Sequence, residues 1–573
     1  MFTTSSTMNG INGKYKMLFS NNSSNDMVGR KPPLELSVTD RSVKAAMPQV
    51  LATMAKNLIL LGYGMTLGFP TIVIPSLQNA PANATLSLSD EEVSWFSSIN
   101  LISVPLGCLI SGVVTQPFGR KRSMQALTIP FLITWIMFYF ADSVGMLYAS
   151  LALTGLAGGL LEAPILTYVA EITQPHVRGF LSASSSLAVV LGMFTQFLLG
   201  NVWDWKTLSA ANTAAPVLAF IALCFIPESP HWLISKNRLK DAEKSLAWLR
   251  GWAKPHEVQE EFQALVRSIR PDLQPTSQLT YISVIGKDKA EFGKENVDTT
   301  GHTPASRNKC LANLGQYKKR TFTIPFFLVC FSFLAGHFSG MTTLTTFAVN
   351  IFSTLGAPIN KYLATMILGI AQLLGTIVCV VLIHYTGKRP LAFVSAIGAA
   401  ILYACVGLYA HFFLGVVKLD NGAFISEHND LAGYSWIPMT CLIGGSFLAF
   451  MGLRLLPWIL IGEVYPTDVR AFASGASASA GYIMGFASNK TFFKLIDALT
   501  LPGVYWFYGG CGLIAAVVLY FVLPETEGWS LYEIEEHFAG NISLLRAGKK
   551  KSGKVTSEGI DNPCVTTDQV SKL

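Results

Sequence analysis

The chain has 573 residues, of which 51% are hydrophobic and only 13% charged, and its net charge is +7. Soluble domains carry about a quarter of their residues as charges, so most of this surface does not face water, and a soluble globular protein is excluded. The modest net charge gives no ground for nucleic-acid binding. The nine cysteines are scattered, several of them inside apolar runs (Cys330, Cys379, Cys441), with no spacing that suggests a metal site or a disulfide framework.

A bilayer core about 30 Å thick is crossed by roughly 20 apolar residues in a helix. Residues 1–50 hold no long apolar run near the start and read as a disordered cytoplasmic tail, not a signal peptide. Apolar stretches follow at 57–77, 92–114, 124–143, 148–170, 181–201 and 207–226. A polar insert, 227–321, separates them from a second set at 322–342, 362–385, 391–414, 434–462, 471–496 and 503–523. Two stretches carry helix breakers, in GFPTIVIP (68–75) and RLLPW (454–458). Membrane helices tolerate these where neighbours or a cavity re-satisfy the freed backbone. The expected fold class is an all-α membrane protein of twelve transmembrane helices in two six-helix halves, 51–226 and 322–523. A cytoplasmic helical insert joins the halves, and a second tail, 524–573, follows them.

Lysine and arginine set the orientation. The loop 115–123 holds Arg120, Lys121 and Arg122, and later loops on the same side hold Arg178, Lys388, Arg389 and Arg470. On the other side, 78–91 has no basic residue and 415–433 has only Lys418. Both termini and the insert are therefore expected in the cytoplasm of a plasma-membrane protein. The sequon at Asn83 then falls outside and is a glycosylation site, whereas Asn21, Asn22 and Asn541 stay inside and unmodified. Within the insert, 241–251 and 257–269 have the spacing of amphipathic helices placed to bridge the halves, and 272–310 is polar and irregular.

The halves echo each other. GRKR (119–122) follows the second stretch and GKRP (387–390) the eighth. AEITQPHVRG (170–179) ends the fourth and GEVYPTDVRA (462–471) the tenth. PESPHWL (227–233) follows the sixth and PETEGWSL (524–531) the twelfth. Recurrence in order at one boundary marks parallel repeats. Arg120, Glu171, Arg178 and Glu228, with Arg389, Glu463, Arg470 and Glu525, are thus expected as carboxylate–guanidinium gates at the inner mouth. Topology-setting charge in solvated loops is the plainer alternative.

These motifs resemble the sugar-porter family of the major facilitator superfamily over about residues 50–540. LPWILIGEVYPTDVR (456–470) and VLPETEGWSLYEIEEHF (522–538) are most similar to the insect facilitated trehalose transporters. The resemblance implies the major facilitator fold, alternating access around a central site, and facilitated or proton-coupled movement of a sugar, with protons as a further partner. It also implies a set of solute ligands. In the seventh helix the family's two glutamines before Phe-Ser-Gly are Gly336 and His337 here, and its asparagine is Thr342. The fifth-helix glutamine becomes Ser186, with Gly192 and Gly200 fixing the register, and the eighth-helix asparagine becomes Gln372. Trp458 is retained, and the eleventh-helix Asn-Trp pair becomes Gly481-Tyr482. Acidic residues opening the loop motifs are replaced by Gln116 and His384. Amides match sugar hydroxyls with both donors and an acceptor, so this pocket departs from the family more than the scaffold does.

Glu162 and Arg454 each stand nine residues before their half's boundary glutamate, about 13 Å in at 1.5 Å per residue. Charges at such depth are costly and tend to be functional. Three roles stay open: a carrier for trehalose or a hexose, a carrier for another, anionic solute held by Arg454, and a non-transporting sensor with a transporter fold. No nucleotide-binding loop, metal cluster or nucleophile–base motif is present in the sequence, so neither an enzyme nor a cofactor is expected.

Overall fold

A computed structural model describes residues 43–78, 86–270, 319–414, 418–420, 423–425, 434–466, 469–529 and 531–545. Asn83, the stretch 272–310 and the sequons at Asn21 and Asn22 lie outside the described residues. Lipid offers no hydrogen bonds, so a chain this apolar satisfies its backbone within helices. The first half runs through Val43–Gln78, Asp90–Phe96 with Ile99–Phe118, Arg120–Tyr139, Val144–Leu160 with Glu162–Ile172, Pro175–Gly200, and Trp205–Asn212 with Ala214–Phe225. The second runs through Arg320–Phe338 with Met341–Thr354, Lys361–Thr386, Lys388–Tyr409, Trp436–Met451 with Leu456–Glu463, and Arg470–Val522.

Ten of these helices are long and apolar enough to cross a membrane among the described residues. The 53-residue Arg470–Val522 turns at Thr500 (φ 63°) and makes two crossings. Arg120–Tyr139, which opens on three basic residues, completes twelve. One feature departs from the all-α expectation. A short antiparallel hairpin, Lys418–Asp420 with Ala423–Ile425, occupies the loop after the ninth span.

The helices present apolar side chains outward, Val113 (76% exposed), Phe225 (77%) and Phe521 (68%) among them, as a lipid-facing surface requires. Inside, they pack closely. A Cβ on Gly64 would fall 2.0 Å from the Val189 carbonyl oxygen, and one on Gly192 would fall 2.1 Å from that of Leu61. The first and fifth spans therefore touch backbone to backbone. Pro70 and Pro75 are absorbed in the unbroken first helix, whereas the tenth span is interrupted at 452–455.

The insert's helices Pro230–Ser235, Leu239–Leu249 and Gln259–Ile269 bury Trp232, Leu246, Phe262 and Val266 in a core of their own. They attach to the first half: Trp232 Nε1 donates to the Gln116 carbonyl (2.9 Å) and Arg250 Nη1 to that of Ile172 (3.2 Å). The two halves meet toward the face opposite the repeated motifs. There Thr71 donates to the Thr345 carbonyl (2.8 Å), Asn350 to Gln78 (2.7 Å) and Asn489 to the Ser97 carbonyl (3.0 Å).

Candidate functional site

The repeated motifs build two matching junctions. The first N–H groups of a helix have no partner within it, and at Arg120–Tyr139 a carboxylate from after the sixth span supplies one. Glu228 accepts from the backbone N–H of Arg120 (3.0 Å) and of Lys121 (3.0 Å). Glu525 does the same for Lys388 (3.1 Å) and Arg389 (3.0 Å) at the start of the ninth span. The negative charge also suits the positive end of the helix dipole. The approach needs glycine: Gly119 (φ +95°) and Gly387 (φ +89°) would each place a Cβ 2.5 Å from the glutamate oxygen. An ion pair completes each junction, Arg120 with Glu171 (2.8 Å) and Lys388 with Glu463 (2.8 Å). Ser229 also donates to Glu171, and Lys388 pairs further with Glu527 (2.8 Å).

Two expectations change here. The counterpart of Arg120 is Lys388, not Arg389, because the glycines set the register of the repeat. Arg389 instead reaches the Tyr520 and Leu545 carbonyls and lies over the Tyr520 ring (5.2 Å). Arg178 and Arg470 also stand apart from the carboxylates. Each bonds the carbonyl five residues back, Thr173 (3.1 Å) and Tyr465 (3.0 Å). Arg178 lies within electrostatic reach of Arg470, so like charges from the two halves approach each other on the motif face. Each carboxylate junction is built within one half and holds that half together.

Titration at the junctions follows their surroundings. Burial opposes ionisation of Glu527, but the Lys388 ammonium and His384 outweigh it and hold its carboxyl below the usual range. Burial lowers the pKa of His231, and the guanidiniums of Arg178, Arg250 and Arg120 add to this against the pull of Glu171.

The second assembly lies deep between the halves, where three spans are interrupted. The fourth keeps helical dihedrals at Leu161 but loses backbone bonds there, because Pro164 has no N–H and the Ser111 hydroxyl donates to the Leu160 carbonyl (2.7 Å) and accepts from the Ala163 N–H (3.1 Å); the seventh breaks at Ser339–Gly340 and the tenth at 452–455. Non-helical backbone at membrane depth is tolerated where protein or a cavity surrounds it. Each break carries a candidate residue: Glu162, the pair His337 and Thr342, and Arg454. Arg454 Nη1 lies 3.1 Å from Nδ1 and 3.3 Å from Nε2 of His337, and the same Nδ1 lies 2.8 Å from the Thr342 hydroxyl. Phe333 links His337 (6.4 Å) to Trp458 (5.0 Å), and Trp458 meets Tyr482 (5.7 Å). Tyr482 lies within electrostatic reach of both Glu162 and Arg454. The Tyr63 hydroxyl approaches Tyr482 from the other half without closing a hydrogen bond of ordinary geometry.

Glu162, Arg454 and Tyr482 are enclosed by protein on all sides yet keep accessible surface, as side chains lining an internal cavity do. Glu162 and Arg454 form no direct ion pair among the described residues.

Two candidates are placed differently. Gln372 is fully buried and donates to Thr345 (3.0 Å), with its carbonyl oxygen unpartnered. Ser186 is half-buried on the fifth span beside Ser185. Ser185 accepts from Lys56 (2.5 Å), a fully buried amine that sequence reasoning passed over. The apolar stretch 57–77 starts just after Lys56 and so leaves it out. The helix in fact begins well before it, at Val43.

The sequence matches the family described as Sugar (and other) transporter over residues 50–538. The facilitated trehalose transporter Tret1 of Bombyx mori is 27% identical over 498 residues, 87% of this chain and 88% of that protein. The Tret1 protein of Apis mellifera ligustica is 26% identical over 501 residues, 87% and 90% of the two chains. Two solved structures share the fold. The proton:xylose symporter XylE bound to 6-bromo-6-deoxy-D-glucose aligns with TM-score 0.61 at 19% identity, covering 86% of this chain and 99% of its own. A partially occluded inward-open form of the xylose transporter XylE from E. coli aligns with TM-score 0.62 at 18% identity, covering 85% and 100%.

Proposed function

Because the chain belongs to the sugar (and other) transporter family, we propose that it carries a sugar, of the trehalose or hexose class, across the plasma membrane by alternating access. Residues 51–226 and 322–523 are the two moving bodies, 227–321 is a cytoplasmic insert, and both tails lie in the cytoplasm. The observation that carries this reading is the convergence of three interrupted spans on one cavity-lining cluster from both halves. A solute held between His337, Arg454 and Trp458 on one side and Glu162 on the other contacts both bodies, so rocking them moves its access from one face to the other. The family's amides are mostly lost, and charged groups replace them. A guanidinium donates to sugar hydroxyls and a carboxylate accepts from them, and hydrogen bonds to charged groups are about twice as strong as neutral ones.

The test is uptake of labelled trehalose and glucose by vesicles holding the purified protein, with and without an imposed pH gradient. Uptake that saturates and shows counterflow supports the carrier. Dependence on the gradient separates proton-coupled from facilitated movement. Measurable sugar binding with no uptake of either sugar would favour the sensor reading.

A further inference from the structure

The cavity cluster holds a cation whose donors are only partly used. A guanidinium has five N–H donors in a planar fork. Arg454 spends Nη1 on the His337 ring, and no carboxylate meets it among the described residues. The remaining donors are not sealed in the interior, since Arg454 keeps accessible surface. Glu162 is the anion of the cluster. The two do not meet, so the guanidinium keeps donors that no protein carboxylate takes up among the described residues. A buried charge without a partner is penalised, and the unpaired guanidinium favours a solute that brings one negative charge of its own.

The geometry points to a sugar acid as the solute: a polyhydroxy ring or chain that carries one carboxylate. The carboxylate meets the free fork of Arg454, a planar match that permits two parallel hydrogen bonds. The hydroxyl end lies toward Tyr482 and Glu162, which keep accessible surface. Tyr63 is 4% exposed, with its hydroxyl enclosed beside Tyr482, so it backs this end of the cluster, and Tyr482, which keeps accessible surface, presents its hydroxyl to the solute. Glu162 accepts from hydroxyls and repels a carboxylate, which fixes the direction in which the acid lies. The Trp458 ring, packed edge-on by Phe333, supplies an apolar wall for the C–H face of a sugar. A neutral sugar leaves the guanidinium uncompensated, and an acid without hydroxyls leaves the tyrosine and carboxylate end unmatched. This inference rests on the sugar-carrier reading and narrows its substrate class.

The probes are D-glucuronate, its methyl ester, D-glucose and trehalose, measured for binding to the purified wild-type protein and for exchange in vesicles. Hydrogen bonds to charged groups contribute enough that glucuronate should bind roughly tenfold or more tightly than glucose. The methyl ester, which keeps the shape but not the charge, should fall to the glucose level. Arg454→Gln should erase the preference and Arg454→Lys should retain part of it. Should either variant misfold, the ester comparison on the wild type decides alone. Equal or weaker binding of glucuronate than of its ester overturns the inference, as does a preference that survives Arg454→Gln. Exchange of glucose or trehalose without exchange of glucuronate overturns it while the sugar-carrier reading stands. No exchange of any of these solutes brings down both.

Discussion

Lys388 shows how much one side chain holds together. Its ammonium is almost fully buried and faces Glu463, Glu527 and the Thr526 hydroxyl. Removing one partner of a buried pair strands the other, at a cost of about 3–5 kcal/mol. Lys388→Met should therefore lower the thermal stability of the detergent-solubilised protein sharply, and Lys388→Arg should restore part of it. A melting temperature unchanged by Lys388→Met would show that the carboxylates find other partners. The junctions also set a pH dependence with two steps. The folded pKa of His231 lies below its ordinary 6.5. The unfolded chain therefore takes the proton first, and stability falls as pH drops below that value. The folded pKa of Glu527 lies below its ordinary 4.5, so its contribution is complete above pH 4.5 and is lost as pH falls through the folded value. His231→Gln should remove the upper step and Glu527→Gln the lower one in melting curves taken from pH 7.5 to pH 3.5. Variants that keep both steps would assign them to other groups.

Among the elements, the helix termini and the breaks were legible to different degrees. The junctions could be read because each motif recurs with its Gly, its basic residue and its Glu in order. The register slipped at one point. Matching arginine to arginine picks Arg389, whereas matching Gly119 to Gly387 picks Lys388, and only the positive-φ turn shows which match governs. The break at 452–455 was foreshadowed by Pro457. The one at Leu161 follows from Pro164, whose missing N–H leaves the Leu160 carbonyl to the Ser111 hydroxyl (2.7 Å), and a periodicity reading runs straight through it. The cavity residues came from the resemblance and from the isolated charges of Glu162 and Arg454. Tyr63, an aromatic in an apolar run, gave no signal. Arg178 and Arg470 illustrate what an element's end requires. Each ties down the carbonyl at the turn that precedes its own helix. Arg178→Ala and Arg470→Ala should impair vesicle uptake several-fold while solute binding in detergent stays near wild type, because neither side chain reaches the cavity cluster. Equal loss of binding and uptake in folded protein would assign them to the site instead.

At the scale of the whole molecule, hydrogen bonds close the halves on one side and like charges face each other on the other. Asn350→Ala with Asn489→Ala removes two links across the first of these faces. The pair should raise the reactivity of a cysteine placed at Thr345 toward a membrane-impermeant reagent applied from that side. Unchanged reactivity would mean that apolar packing alone holds the face shut. The third span has a consequence of another kind, for how the polypeptide enters the membrane during synthesis. Arg120–Tyr139 opens with Arg120, Lys121 and Arg122, and it is the crossing that fails the test of apolarity passed by the rest. The three basic residues at its start make it less apolar than the spans on either side. It is therefore expected to integrate as a hairpin with Val144–Ile172, a strongly apolar span. A nascent chain halted just after Tyr139, with a glycosylation tag at its end, should be integrated inefficiently in microsomes, and one halted after Ile172 should be integrated fully. Equal integration of the two would mean that the third helix partitions by itself. The basic cluster that anchors a finished junction would then be no burden to the growing chain.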